Sequence, residues 1–235
     1  MNSKQFNNKE RIVRGVFNDV FDKYDLMNDI MSLGIHRIWK RKFITTLNPQ
    51  KNTKLIDVAS GTGDIAKLYL DRTSFQGEAY CVDENNKMLK LNQCKNNKTK
   101  SIKFFCNEAE DLPFPNNYFN YYTVSFGIRN FKNINSALKE AYRVLKSGGR
   151  FICLEFSKVE NKNIKKFYDF YSKIIPTIGK AVVGNSYPYE YLTKSIEDFY
   201  SQEELAKKIA EHKFEKITYK NLSFGIVSIH SAWKI

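Results

Sequence analysis

A glycine-rich turn lies between two carboxylates in the first half of the chain. Residues 57–64 read DVASGTGD, and the pattern G-x-G-x-x-A begins at Gly61. Asp83 follows 20 residues beyond Gly63. Glycines in such a turn let the backbone approach a nucleotide, and an acidic residue at this distance accepts hydrogen bonds from ribose hydroxyls. The spacing predicts a nucleoside-binding loop rather than an accidental glycine turn.

The charges around the loop distinguish between two nucleotide classes. A dinucleotide pyrophosphate requires backbone N–H groups and no anions nearby. Here Asp57 precedes the glycines and Asp64 follows them. Two carboxylates would repel a pyrophosphate, whereas they suit a ligand that carries an ammonium and a sulfonium. The sequence therefore favours S-adenosylmethionine as the cofactor over a dinucleotide.

Alternating strands and helices must position this loop. Apolar runs predict strands at 54–59, 78–83, 102–106, 120–126 and 150–156, and helical patterns lie at 64–70, 87–94 and 134–145. Such alternation is typical of parallel βαβ units. Two further β-patterned runs, 216–222 and 226–233, flank Ser223-Phe224-Gly225 and predict a hairpin. We expect an α/β, Rossmann-like class I methyltransferase fold with a mostly parallel seven-stranded sheet and an antiparallel last strand.

Helical segments flank this predicted core. Residues 9–48 have helical spacing, residues 160–200 are rich in aromatic residues and mostly helical, and residues 201–204 form a capping box. We expect one methyltransferase domain over 1–235. Its parts are an N-terminal helical cap at about 9–48, a core at about 52–158, a lid insertion at about 160–200, and a closing helix and hairpin at about 201–235.

Composition excludes several protein classes. The 235 residues are 42% hydrophobic, and 38 basic against 25 acidic residues give a net charge of +13. Such a charge favours an anionic partner, although the abundance of Lys equally fits a compositional bias. The four cysteines form no CxxC pair and no zinc-like cluster, so no metal site is predicted. The polar first residues and the lack of a long apolar run argue against a secreted or membrane-spanning protein.

Several longer motifs resemble one enzyme family. The first signature runs from Tyr24-Asp25 through Met27-Asn28 and Ser32 to His36 and Trp39, and the second reads RVLKSGG at 143–149, followed by Glu155-Phe156-Ser157. With the segments EAEDLPFP at 108–115 and SFGIRN at 125–130, they resemble the ubiquinone/menaquinone biosynthesis C-methyltransferases from about residue 12 onward. Ser147 replaces a usual Pro, and Glu108 stands where Asn or Asp is more common.

The resemblance implies methyl transfer from S-adenosylmethionine to a ring carbon of a polyprenylated quinol. It also implies roles for individual residues. Ser60, Gly61, Thr62 and Gly63 pass under the methionine part, and Asp57 neutralises its ammonium. Asp83 binds the ribose, Glu108 and Ala109 flank the adenine, and Ser125 lines the pocket at the carboxyl edge of the sheet.

The substrate side centres on Arg129 and Asn130. A guanidinium there would stabilise phenolate character on the quinol, or it would form a salt bridge that holds the loop. His36 is the natural candidate for a general base because its pKa lies near the working pH. It shares the first signature with Tyr24, our other catalytic candidate, although a lone His among apolar residues is more often structural. Water is a further candidate for accepting the final proton.

The expected partners follow from a water-insoluble substrate. The aromatic, lysine-studded residues 160–192 predict a tunnel for the isoprenoid tail and a basic rim at a membrane surface, or else an ordinary lid. The resemblance implies a cytoplasmic enzyme peripheral to the bacterial inner membrane, or one on the matrix side of a mitochondrion. Other quinone-biosynthesis enzymes and a second copy of the chain are candidate partners.

Three rival functions share features with this one. The first is a dinucleotide oxidoreductase. The second is a nucleic-acid methyltransferase, which we disfavour because no basic–aromatic binding motif is present, so we expect no nucleic-acid partner. The third is a non-enzymatic scaffold. Within the fold, a methyltransferase that acts on another small lipophilic substrate is the nearest alternative. The sequence does not separate benzoquinol from naphthoquinol substrates.

Overall fold

The computed structural model describes residues 28–29, 32–96, 99–159 and 187–235. Seven strands form one sheet in the order β3-β2-β1-β4-β5-β7-β6. They are β1 (Lys54–Val58), β2 (Glu78–Val82), β3 (Ile102–Phe105), β4 (Phe119–Ser125), β5 (Leu145–Phe156), β6 (Glu215–Leu222) and β7 (Val227–Trp233). Strands β1 to β5 pair in parallel, and β7 pairs antiparallel with both β5 and β6.

Helices cover both faces of the sheet. They are α1 (His36–Leu47), α2 (Asp64–Arg72), α3 (Asn86–Asn96), α4 (Ile134–Val144), α5 (Tyr187–Glu197) and α6 (Gln202–Ala210). Successive strand residues point to opposite faces. Leu55 therefore packs with the apolar side chains of α1 and α2, while Ile56 packs with those of α4 and α6. The result is a three-layer α/β/α arrangement with the loops of the carboxyl edge free to form a site.

The C-terminal prediction is confirmed in detail. Ser201 accepts a hydrogen bond from the Glu204 backbone, and the Glu204 carboxylate accepts one in return from the Ser201 backbone. A 3₁₀ turn at Ser223–Gly225 joins β6 to β7. The last strand enters the sheet between β5 and β6 rather than at its edge. The sheet thus has the antiparallel strand that distinguishes class I methyltransferases from dinucleotide-binding folds.

Two element boundaries differ from the sequence prediction. The helical pattern over 9–48 does not continue through its described part, because Leu33 and Gly34 have positive φ angles of 49° and 75° and begin a turn before α1. Strand β5 begins at Leu145, five residues earlier than predicted, because Leu145 already pairs with Phe119 of β4; Lys146–Gly149 form an irregular stretch before regular pairing resumes at Arg150. Residues 1–27 lie outside the described residues.

Membrane crossing receives no support from the described part of the fold. None of the helices in the described ranges combines the length and apolar composition that a bilayer crossing requires.

Candidate active site

The glycine loop between β1 and α2 is a tight backbone turn. Ala59, Gly61 and Gly63 all have positive φ angles, of 54°, 51° and 83°. A Cβ at Gly63 would lie 2.2 Å from the Asn92 side-chain oxygen on α3. Only glycine fits that position, which explains the second glycine of the motif. The predicted residues Ser60 and Thr62 are buried within the loop.

Asp83 joins two loops of the site. Its Oδ2 accepts a hydrogen bond from the Gly61 N–H at 2.9 Å, and its Oδ1 accepts one from the Asn85 N–H at 2.9 Å. Burial raises the pKa of this carboxyl, while the two N–H groups oppose the shift. An ionised carboxylate offers about four acceptor positions. Two therefore remain for a diol, which suits the predicted ribose contact.

Asp57 lies deeper, inside β1. It is 1% exposed, and its Oδ1 accepts a hydrogen bond from the Thr123 hydroxyl at 2.8 Å. Its other oxygen has no hydrogen-bond partner among the described residues. Burial raises the pKa of Asp57 to about 7. A buried carboxylate with a free acceptor fits the role of neutralising a cofactor ammonium. Sequence reasoning missed Thr123, which the pairing register places directly opposite Asp57 on β4.

The surroundings of Asp64 differ from those that the sequence suggested. Its Oδ2 lies 2.7 Å from the Lys40 Nζ; burial opposes ionisation of Asp64, but the charge and hydrogen bond of Lys40 outweigh it and lower the pKa of Asp64. One of the two carboxylates that should repel a pyrophosphate is thus already paired with a cation. The charge pattern of the loop alone is weaker evidence for S-adenosylmethionine than the sequence suggested.

A cleft of about 760 Å³, including its open mouth, lies at the carboxyl edge of the sheet. It brings together six of the predicted site residues: Gly61, Asp83, Glu108, Ala109, Ser125 and Asn130. The sequence did not predict several other residues that line the cleft, among them Met88, Phe126, Phe131 and Lys132. A salt bridge joins Lys132 to Glu108. The Ser125 hydroxyl is buried and has no hydrogen-bond partner within the described part of the chain.

The loops after β1 and β4 pack closely against each other at this cleft. A Cβ at Gly127 would lie 2.4 Å from the Cβ of Ala59, so the loops after β1 and β4 touch there. Both residues line the cleft. A side chain at Gly127 would separate the two loops that hold the predicted cofactor residues.

Arg129 forms a buried ion pair. Its Nη1 donates to Glu155 Oε1 at 2.7 Å and to the Phe126 carbonyl at 2.6 Å. Glu155 is fully buried; burial raises the pKa of its carboxyl, and the Arg129 charge opposes that shift. Arg129 does not line the cleft, whereas its neighbour Asn130 does. The structure thus contains the loop-holding salt bridge that the sequence left open, and Glu155 is a partner that sequence reasoning missed.

His36 lies at the start of α1 and is 5% exposed. Its Nε2 pairs with Asp29 Oδ1 at 2.8 Å, and its buried Nδ1 has no hydrogen-bond partner in the described ranges. Burial lowers the pKa of His36 more than Asp29 raises it. Arg37 and His36 in turn lower the pKa of Asp29 to about 2. His36 is not among the cleft residues, and Tyr24 lies outside the described residues.

The predicted lid is described only from residue 187 onward. Helix α5 contacts the substrate side of the cleft: the Tyr191 hydroxyl donates to Asn130 Oδ1 at 3.0 Å, and Arg129 Nε donates to the Ser195 hydroxyl at 3.3 Å. Residues 160–186, which hold most of the aromatic segment, lie outside the described residues. Across the described ranges, no three His, Cys, Asp or Glu side chains form a group that could hold a metal ion.

Two solved structures with the same fold are described as S-adenosylmethionine-dependent methyltransferases. One from Thermotoga maritima, described as a possible histamine N-methyltransferase, has a TM-score of 0.67 at 17% identity and covers 94% of this chain and 99% of its own. Another, from Aquifex aeolicus, has a TM-score of 0.63 at 16% identity and covers 83% and 89% of the two chains. At these identities the likeness shows the fold alone, and the class I methyltransferase prediction is confirmed.

Sequence comparison identifies closer relatives. The profile of the ubiE/COQ5 methyltransferase family matches residues 4–234. Ubiquinone/menaquinone biosynthesis C-methyltransferase UbiE of Rickettsia akari is 52% identical, over 98% of this chain and 95% of its own. UbiE of Rickettsia prowazekii is 49% identical over the same shares of the two chains. S-adenosylmethionine is the cofactor that this family and fold use, and the buried acceptor of Asp57 and the open cleft suit it. The chain belongs to the ubiE/COQ5 methyltransferase family.

Proposed function

We propose that this enzyme methylates a ring carbon of a polyprenylated quinol in ubiquinone or menaquinone biosynthesis. The substrate is 2-polyprenyl-6-methoxy-1,4-benzoquinol, demethylmenaquinol or both. The observation that carries the proposal is a cleft in which Asp83 and Ser125 lie beside Asn130, in a chain about half identical to UbiE proteins over nearly its full length. The alternative is another small lipophilic substrate of a methyltransferase with this fold.

The cofactor-side residues bind and orient the donor. S-adenosylmethionine supplies an electrophilic methyl group on a sulfonium. Asp83 holds the ribose, Glu108 and Ala109 flank the adenine, and Ser125 lines the cofactor pocket. Ser60, Thr62 and the loop glycines shape the turn beneath the methionine part. Their task is to hold the reacting carbon about 3–3.5 Å from the methyl, in line with the breaking bond.

On the substrate side, Asn130 lines the cleft, and Arg129 precedes it in the same 3₁₀ turn, with its side chain buried. Arg129 stabilises negative charge that develops on the quinol oxygen, while Glu155 fixes the guanidinium in place and moderates its charge. Because an arginine is a poor proton acceptor, the ring proton goes to a different group.

His36 is our candidate for that proton acceptor. Its lowered pKa keeps the imidazole neutral at pH 7, Asp29 orients the ring, and Nδ1 carries the available lone pair. Tyr24 is a second candidate from the same signature. Water accepts the proton if neither side chain reaches the ring, since rearomatisation is downhill.

We also propose peripheral membrane association. Helix α1 carries four basic and no acidic residues, and of these Arg41 and Lys42 are exposed. Leu33, Ile35 and Ile38 at its start are exposed, as is Phe224 in the turn that contacts α1 through the 2.9 Å hydrogen bond from Trp39 to Ser223. Exposed apolar side chains with a basic surround suit an anionic bilayer surface. Equal binding to neutral and anionic vesicles would contradict this proposal.

Further proposals about domain organisation, location and partners rest on the resemblance to the quinone-biosynthesis methyltransferases. The chain forms one domain, and residues 160–200 form its lid over the isoprenoid tail. The enzyme lies at the bacterial inner membrane or the matrix face of a mitochondrion. Other quinone-biosynthesis enzymes are its expected contacts, with a homodimer as one arrangement.

The test is complementation of a bacterial strain that lacks this methyltransferase. Expression of the chain should restore methylated quinones, measured by mass spectrometry of lipid extracts, while Asp83→Ala at equal protein level should not. The ratio of ubiquinone to menaquinone restored identifies the substrate ring. A folded, cofactor-binding wild-type chain that leaves both quinones undermethylated would overturn the proposed substrate.

A further inference from the structure

The methionine end of the cofactor carries two opposite charges. Its ammonium suits the buried acceptor of Asp57, but its carboxylate requires a cation or N–H donors. The two charged residues that flank the glycine loop, Asp57 and Asp64, are both carboxylates and cannot bind a ligand carboxylate. A cation close to this loop would complete a site for the zwitterion.

Lys40 provides such a cation. It projects from α1 to the first residue of α2, where its Nζ lies 2.7 Å from Asp64 Oδ2. Its side chain is 11% exposed, whereas the Asp64 side chain is 40% exposed. The charge of Lys40 also lowers the pKa of Asp57. The ammonium therefore lies within electrostatic reach of both carboxylates that flank the loop.

The Lys40–Asp64 ion pair does not compensate fully for the free-energy cost of burying the Lys40 ammonium, so a purely structural role does not explain it. A carboxylate in the first turn of a helix is already stabilised by the helix dipole, so Asp64 does not need Lys40. Burying a lysine ammonium is costly, and one half-exposed carboxylate compensates it only in part. By contrast, Arg41 and Lys42 on the same helix are exposed. The protein thus holds one lysine of a basic helix against the loop where the methionine end of the cofactor is expected.

We propose that Lys40 binds the carboxylate of the methionine end of S-adenosylmethionine, which takes the place of Asp64 as the partner of the Lys40 ammonium. Asp57 takes the cofactor ammonium, so each charge of the zwitterion meets its opposite. No covalent step is involved. The proposal rests on the cofactor and not on which quinol is methylated.

The experiment compares two ligands that differ at the methionine end. S-adenosylhomocysteine has the amino and carboxyl groups, and 5′-methylthioadenosine lacks both. Calorimetry on the full chain should show that Lys40→Met weakens S-adenosylhomocysteine by about tenfold to a hundredfold, the range of a hydrogen bond between charged groups. Methylthioadenosine should bind within about twofold of wild type. Lys42→Met is the matched control and should change neither ligand.

Asp64→Asn separates ligand binding from a structural tie. It breaks the ion pair and leaves Lys40 in place, so S-adenosylhomocysteine affinity should stay within about threefold of wild type or rise. Equal weakening of both ligands by Lys40→Met would overturn the proposal, as would unchanged binding of S-adenosylhomocysteine. Thermal unfolding and circular dichroism confirm that each variant is folded. Wild-type binding without quinol methylation would refute the proposed substrate and leave this proposal standing.

Discussion

The cofactor side and the substrate side of the cleft are held together differently. On the cofactor side, Asp83 accepts hydrogen bonds from backbone N–H groups of two neighbouring loops. On the substrate side, Arg129 pairs with Glu155, 26 residues away, and contacts Ser195, 66 residues away. The first side is therefore assembled by two adjacent βα turns, whereas the second depends on a buried charge pair between distant parts of the chain.

This comparison predicts that the substrate side is the more fragile. Glu155→Ala should lower the free energy of unfolding by about 3–5 kcal/mol, because it leaves the Arg129 charge buried without its partner. The double variant Arg129→Met/Glu155→Leu should recover most of that loss. Urea unfolding followed by circular dichroism measures both. A loss below about 1 kcal/mol for Glu155→Ala would mean that the ion pair contributes little.

Steady-state kinetics tests whether Arg129, on the substrate side, contributes to catalysis. Arg129→Ala should lower kcat by about 10²–10³, more than it raises KM, because its charge acts mainly in the transition state. Arg129→Lys should recover little, since an ammonium cannot reproduce the planar fork. The assay is steady-state methylation of a short-tail quinol, with calorimetric cofactor binding as the control. Near-full kcat in a folded Arg129→Ala variant would leave Arg129 as a loop-holding residue and direct attention to His36.

On the cofactor side, a single carboxylate should dominate affinity. Asp83→Ala should weaken S-adenosylhomocysteine binding by about 1.5–3 kcal/mol, the range for a hydrogen bond to a charged group. Calorimetry measures the change, and NAD should not bind to wild type. If the variant bound as tightly as wild type, Asp83 would serve only to tie the two loops together.

The smallest expected effect is a pH dependence from Asp57. Its pKa near 7 implies that S-adenosylhomocysteine affinity rises about tenfold between pH 6 and pH 8 as the carboxylate forms. Since the folded pKa lies above the unfolded value, ionisation of Asp57 destabilises the fold, and the free energy of unfolding falls from about pH 4 to about pH 7. Asp57→Asn should flatten both profiles. An identical binding profile in that variant would assign the titration to another group.

The sequence could predict that Gly61 and Asp83 lie in one cleft because their placement depends on local structure. Gly61 and Asp83 follow adjacent parallel strands, whose carboxyl ends meet at one edge of a sheet. The Lys40–Asp64 pair was missed, as was Glu155 as the partner in the salt bridge considered for Arg129, because each pair joins elements that only the packing of the whole core brings together. Thr123 opposite Asp57 required the strand register, which periodicity does not supply. The turn before α1 was missed because Leu33 is a residue that seldom adopts a positive φ, although Gly34 beside it is a turn signal.

The position of β7 inside the sheet sets an order of events during synthesis. Strand β5 pairs with β7 over Arg150–Phe156, and this edge of β5 stays unpaired until the chain has been made as far as Trp233. An open edge on a largely apolar strand segment can pair with strands of other chains. A nascent chain that has emerged with its glycine loop already formed is thus still exposed to aggregation. Ribosome stalling before residue 227 should therefore produce chaperone-bound rather than cofactor-bound intermediates.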